Sequence, residues 1–276
     1  MLTRCMHTGV AVAYLISGML AAGLPTRVAA EPVVREQRTA VVAGVEEVWQ
    51  LVWDGQPATV CGPEDISNAT TCPCAGLAYG EHGKLSLVRR RADKEVERMD
   101  LRPLFGLDPF DGPGDEVKDS AYLQRWPLKD DDLDREKREP DLAAEIKQRP
   151  APTIMTFADY DRDGRATEFL LQVGTLPCGK LQYAAIGVTK KNPRLHALTS
   201  VAHPKKPLVM PRHAWEALLK GPGPAAVTTI TCGDHASENR GELVVSAKGG
   251  AIRVKSRAFS CPAKGRREKL IEETDE

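Results

Sequence analysis

Glu242-Leu243-Val244-Val245-Ser246-Ala247-Lys248-Gly249-Gly250-Ala251-Ile252-Arg253-Val254-Lys255-Ser256 reads as two strands joined through a pair of glycines. The runs Glu242–Ala247 and Ala251–Ser256 are β-rich. Gly249-Gly250 supplies the positive φ angles that a tight antiparallel hairpin demands. The same grammar recurs along the chain. Val45–Trp53 is an alternating strand, and Lys84–Arg90 and Glu95–Leu101 form a second hairpin around Arg91–Lys94. Thr153–Phe157 and Glu168–Val173 flank an acidic loop. Lys180–Val188 and Arg194–Val201 flank the turn signal Lys191-Asn192-Pro193.

Two helices interrupt this pattern. Pro140 stands where a helix over Asp141–Arg149 would start. Pro211 opens a second over Arg212–Lys220, Gly221 stops it, and Trp215, Leu218 and Leu219 form its expected buried stripe. Gly106–Gly114 is a loop, and residues 106–150 as a whole read as a charged insertion. The expected fold is therefore mainly β, with antiparallel sheets in a sandwich-like arrangement, two short helices and disulfide bonds. The domain spans residues 45–262, after an unpatterned lead-in over 31–44 and before a charged, frayed tail over 263–276.

Residues 1–30 have the form of a secretion signal. Arg4 gives the positive start, Val10–Leu24 the apolar run, and Val28-Ala29-Ala30 the small residues of a cleavage site. A secreted or periplasmic location follows, with no membrane attachment after cleavage. Setting aside Arg4 and Arg27 from 38 basic residues leaves 36 against 38 acids, which gives no electrostatic case for nucleic acid. Of seven cysteines, Cys5 leaves with the signal. Cys61, Cys72, Cys74, Cys178, Cys232 and Cys261 are an even set and read as three disulfides. The preferred pairs are Cys178–Cys232 and Cys61 with Cys72 or Cys74, the other going to Cys261. A copper or redox role for Cys72-Pro73-Cys74 is the alternative.

The chemistry concentrates in Asp159-Tyr160-Asp161-Arg162-Asp163-Gly164. Three carboxylates at alternate positions before a turn-forming glycine are what a hard, oxygen-loving cation needs. The segment resembles the D-x-D-x-D-G calcium loops of EF-hands, dockerins and the FG-GAP/VCBS-type loops of β-propellers. That resemblance implies a bound Ca²⁺ with Asp159, Asp161 and Asp163 as side-chain ligands and Arg165 as a backbone ligand. An EF-hand would carry Glu at position 12, where this chain has Leu170, and helices on both sides. The strand-flanked loops are the better match. Glu168, at position 10, is the expected closing ligand, with Thr167 or water as the fallback.

Hydrolase, Walker and Rossmann signatures are missing. His213 with Glu216 could share a metal but lie off the apolar stripe of their helix. Cys232-Gly233-Asp234-His235 could form a nucleophilic group, against its reading as a disulfide at a turn. Trp49, Trp53 and Trp126 read as core. Two functions remain: a calcium-braced module that binds a protein or a glycan, and a secreted hydrolase whose acids are scattered. A cleft with convergent titratable groups away from the acidic loop would favour the second.

Overall fold

The computed structural model describes residues 31–60, 62–64, 80–105, 119–127, 129, 131–136, 138–176, 180–262 and 267–276. The strands of the first part are β1 (Val33–Val42), β2 (Val45–Trp53), β3 (Ala58–Val60), β4 (Gly80–Gly83), β5 (Leu85–Arg91), β6 (Lys94–Asp100) and β7 (Ala121–Gln124). A five-residue helix α1 (Asp132–Glu136) and α2 (Leu142–Gln148) follow. The second part holds β8 (Glu168–Leu176), β9 (Lys180–Gly187), β10 (His196–Ala197), β11 (Val209–Pro211) and α3 (Arg212–Lys220). It ends with β12 (Ala225–Ile230), β13 (Asn239–Lys248), β14 (Ala251–Ser260) and β15 (Leu270–Asp275). Both expected helices and both expected hairpins are in place.

The strands form four antiparallel sheets. The first runs β1-β2-β5-β6, the second joins β8, β9, β10 and β11, the third runs β12-β13-β14-β15, and a small one pairs β3-β4-β7. The second sheet is the middle layer. Phe169, Leu171 and Val173 face a core shared with Trp49, Leu51, Trp53, Leu85 and Leu87 of the first sheet. Leu170, on the opposite face of β8, joins another core with Trp215 and Leu218 of α3 and Val245, Ile252 and Val254 of the third sheet. A strand buried on both faces cannot alternate with polar residues, which is why 168–173 reads as a nearly continuous apolar run.

Several boundaries differ from expectation. The lead-in over 31–44 holds β1, an edge strand paired along its length with β2. The charged tail holds β15, paired with β14, where Glu273 bonds both Lys255 and Arg257 at 2.7 Å. Thr153–Phe157 forms no strand, and only Ala158 bridges to Glu168 before the acidic loop. Arg194–Val201 shrinks to the two residues of β10. In α3 the buried residues are Ala214, Trp215, Ala217 and Leu218, while Leu219 is 40% exposed. Trp49 and Trp53 are core, and Trp126 is half-buried against the Arg125 guanidinium. The signal segment lies outside the described residues, as do Gly106–Gly114 and four cysteines: Cys61, Cys72, Cys74 and Cys178.

Cys232 bonds Cys261 and not Cys178. The register explains the pairing. Gly241 of β13 lies opposite Ile230 of β12 on one side and Ala258 of β14 on the other. Cys232 and Cys261 thus leave the same end of the third sheet, with Cα atoms 5.6 Å apart. The bond closes a loop of 29 residues, for which the chain-entropy relation gives about 3.5 kcal/mol. Replacing both cysteines by serine should lower unfolding free energy by up to that amount in urea titrations. A double variant as stable as the parent would show that β13 alone holds the two strand ends.

Candidate metal centre

The acidic loop spans the gap between the Ala158 bridge and the start of β8. Its backbone is folded by its own carboxylates. Asp159 accepts from the amides of Asp163 and Gly164, both at 2.9 Å, and Asp161 Oδ1 accepts from the Asp163 amide at 3.0 Å. Short acids that bond amides two to five residues ahead make tight turns without other support. Gly164 takes φ +91°, as the sequence required, and Arg162 also lies in the left-handed region at φ +54°.

The carboxyl oxygens of Asp159, Asp161 and Glu168 converge to within 4.8 Å of one another. Asp161 is 2% exposed and Glu168 fully buried. Glu168 belongs to β8, where Phe169 and Leu171 anchor the strand in the core, so its carboxylate is delivered by a rigid element. Gly187 of β9 lies opposite it. A Cβ there would sit 2.2 Å from the Thr167 carbonyl and 2.8 Å from the Glu168 Cα, so only glycine lets the strands close.

Such crowding has an electrostatic consequence. Burial, then the neighbouring Asp163 charge, pushes Asp161 up to about 6. Burial, followed by the Asp161 charge, pushes Glu168 up to about 8. Hydrogen bonding agrees with a proton on Glu168. The Thr167 hydroxyl oxygen lies 2.7 Å from the Val188 carbonyl and 3.0 Å from Glu168 Oε1. One hydroxyl proton cannot serve both acceptors, so a proton on Glu168 completes the set. Glu168 Oε2 accepts from the Tyr160 amide at 3.0 Å.

Not every expected ligand joins the cluster. Asp163 turns away, with Oδ1 accepting from the Arg165 amide at 2.9 Å and Oδ2 from the Lys190 amide. The Lys190 ammonium also bonds the Asp163 carbonyl. Arg165 enters these contacts through its amide, and its side chain is half-buried. The Thr167 hydroxyl is engaged as described. Arg162 reaches out of the loop, donating to the carbonyls of Leu218 and Leu219 at 3.0 and 3.2 Å, where it caps α3 instead of neutralising the acids.

One contact was invisible in the sequence. The amides of Gly249 and Gly250, at the tip of the β13–β14 hairpin, donate to the carbonyls of Arg162 and Asp161 at 3.0 and 2.9 Å. The two glycines that announced a hairpin thus also dock it on the acidic loop. A Cβ at Gly250 would lie 3.3 Å from Asp161 Oδ2.

Among the described side chains the other candidates form no catalytic group, and the side chain of His235 lies outside them. Cys232 is held in a disulfide, which removes its thiolate. His213 and Glu216 are exposed on α3, and His213 Nε2 lies 3.2 Å from the Thr228 carbonyl. No helix among the described residues is long and apolar enough to cross a membrane. Comparison with protein-family models, curated proteins and solved structures finds no match for the chain.

Proposed function

We propose that the chain is a secreted or periplasmic module that uses Ca²⁺ to brace the junction of its second and third sheets, and that it serves binding or architecture. The observation that carries this reading is the convergence of half-buried Asp159 with buried Asp161 and Glu168. When ionised together these three acids repel one another, and a divalent cation offsets both that repulsion and the desolvation of the two buried carboxylates. The donors are all hard oxygens, which fits Ca²⁺ better than softer metals. Asp163 and the Arg165 carbonyl would complete the shell if the loop adjusts on binding. The disulfide suits an oxidising compartment. The partner would be a protein or a glycan.

The ion acts as a brace because of what the loop holds. Through the hairpin tip it grips β13 and β14, through Arg162 the end of α3, and through Asp163 the turn after β9. Bound calcium therefore links three elements that are far apart in sequence.

Calcium added to chelator-treated protein should raise its melting temperature. For an extracellular-type site with Kd on the order of 10⁻⁴ M, ~1 mM calcium contributes about 1.4 kcal/mol. In a chain of this size that is a rise of roughly 3–5 °C. Asp161→Ala should abolish most of it, and Mg²⁺ should do less because it needs a tighter octahedral cage. Equal melting in calcium and in chelator would refute the brace.

A further inference from the structure

Away from the acidic loop, a cavity of about 1130 Å³ opens between β9 and β11 on one side and the third sheet on the other. It lies where the second core thins. Tyr183 and Met210 form one wall, and Leu243 and Val254 the other. Leu181 and Leu243 are only half-buried here, and Ile230 is 40% exposed on the lining. A close-packed interior leaves few voids larger than a water molecule. A space of this size, walled by apolar side chains, matches ligand clefts instead.

The polar rim is asymmetric. Lys180 and Asp234 form an ion pair with each other. His203 Nε2 is 3.2 Å from the Asp275 carbonyl. Lys206 and Arg212 are exposed, and neither has a carboxylate partner among the described residues. The Arg212 guanidinium lies 4.6 Å from the centre of the Tyr183 ring, so the cation is held against the apolar wall and faces the cleft. Glu276 is the remaining acid on the lining among the described residues and is exposed.

We infer that this cleft binds an amphiphile, an apolar chain that lies along Leu181, Tyr183, Ile230 and Leu243 and ends in one anionic head at the Arg212 guanidinium, with Lys206 adding positive charge along the rim. The chain fills space that the two sheets leave unpacked. The head supplies the negative charge that the two cations lack. A carboxylate and a phosphate monoester share this chemistry, and a guanidinium binds either through paired N–H donors.

The test is titration of the calcium-loaded protein with dansyl-undecanoate, followed by the rise in dansyl fluorescence, with competition by dodecanoate, dodecyl phosphate and dodecanol. Micromolar binding is expected, with displacement by one or both anionic competitors at least tenfold more effective than by dodecanol. Removing two methylenes from the competing anion should weaken it about tenfold. The exposed pair replaced together, Lys206→Ser with Arg212→Ser, should weaken probe binding at least tenfold while lowering the melting temperature by no more than about 4 °C, the loss expected of the Tyr183 contact. Glu276→Gln should not weaken it. Absence of probe binding, equal competition by dodecanol, or unchanged affinity in the folded double variant would overturn the assignment. None of these readouts depends on the calcium response, so the two readings stand or fall separately.

Discussion

In calcium-free buffer the protein is expected to lose stability steadily as pH rises from 5 to 9, by on the order of 4 kcal/mol through Glu168 alone. The sign follows from the direction of the shift. Glu168 is held at about 8 in the folded chain against an ordinary value of 4.5. Between those values the folded state keeps a proton that the unfolded state has released, so each rise in pH favours unfolding. The stability is fully present below the unfolded value and is lost as pH climbs through about 8. Asp161, pushed up to about 6, adds a decline in the same direction at lower pH. Because the two acids interact, the measured steps will belong to the pair.

Glu168→Gln should flatten most of this profile, since the amide keeps the shape of a protonated carboxyl and cannot ionise. Saturating calcium should flatten it as well, because the ion occupies the deprotonated site. The variant should respond weakly to calcium while remaining at least as stable as the parent in calcium-free buffer at pH 9. Urea unfolding at five pH values, with and without calcium, gives the full comparison. A parent profile that rises with pH, or one whose slope Glu168→Gln leaves untouched, would show that the buried acids are not held in this way.

Replacing Arg89 by alanine should cost about 4 kcal/mol, by stranding a buried acid. Glu47 lies on the inward face of β2 in series with Trp49 and Leu51, and is 1% exposed. Arg89 of β5 bonds it through two nitrogens at 2.7 and 2.9 Å, while Arg91 and the Trp49 indole complete its partners. Burial alone would raise the Glu47 pKa, and these donors more than offset it, so its carboxyl sits below its ordinary value. Removing Arg89 leaves the desolvation in place and takes away the main offset.

The network also reaches the acidic loop. Arg89 donates to the Pro193 carbonyl at 2.8 Å and to Glu97 at 2.6 Å, and Glu97 accepts from the Leu195 amide at 3.0 Å. These contacts hold the turn that presents Lys190 to Asp163. Arg89→Ala should therefore weaken the calcium response as well as stability. A paired Glu47→Leu, Arg89→Met variant should recover most of the stability, since no charge is left buried. A loss below about 1 kcal/mol in Arg89→Ala, measured by urea unfolding, would place the pair among ordinary surface contacts.

Strand and helix type were legible wherever a segment carries its own reason for its shape. The hairpin through Gly249-Gly250 has its turn residues, α3 has its proline and glycine boundaries, and β2 has its alternation. Residues 33–42 and 270–275 have none of these. Only Ala40 and Val42 of β1 are buried, and every residue of β15 is exposed. Both are strands because a neighbouring edge offers a ladder of unpaired amides and carbonyls. That offer comes from elsewhere in the chain and leaves no mark on the local pattern.

The acidic loop shows the same division within six residues. Its composition determined that it would turn, that its acids would lie near one another, and that the donors they offer are hard oxygens. These follow from the reach of short carboxylates and the freedom of glycine. Which acids meet was decided by the tertiary structure. Glu168 enters the cluster because the core fixes β8 and Gly187 lets β9 close on it. Asp163 leaves because the turn after β9 brings the Lys190 amide within its reach. The partner of Cys232 was likewise set by the register of β12, β13 and β14. Backbone conformation answers to local residues, whereas proximity between distant ones is settled by how the sheets stack.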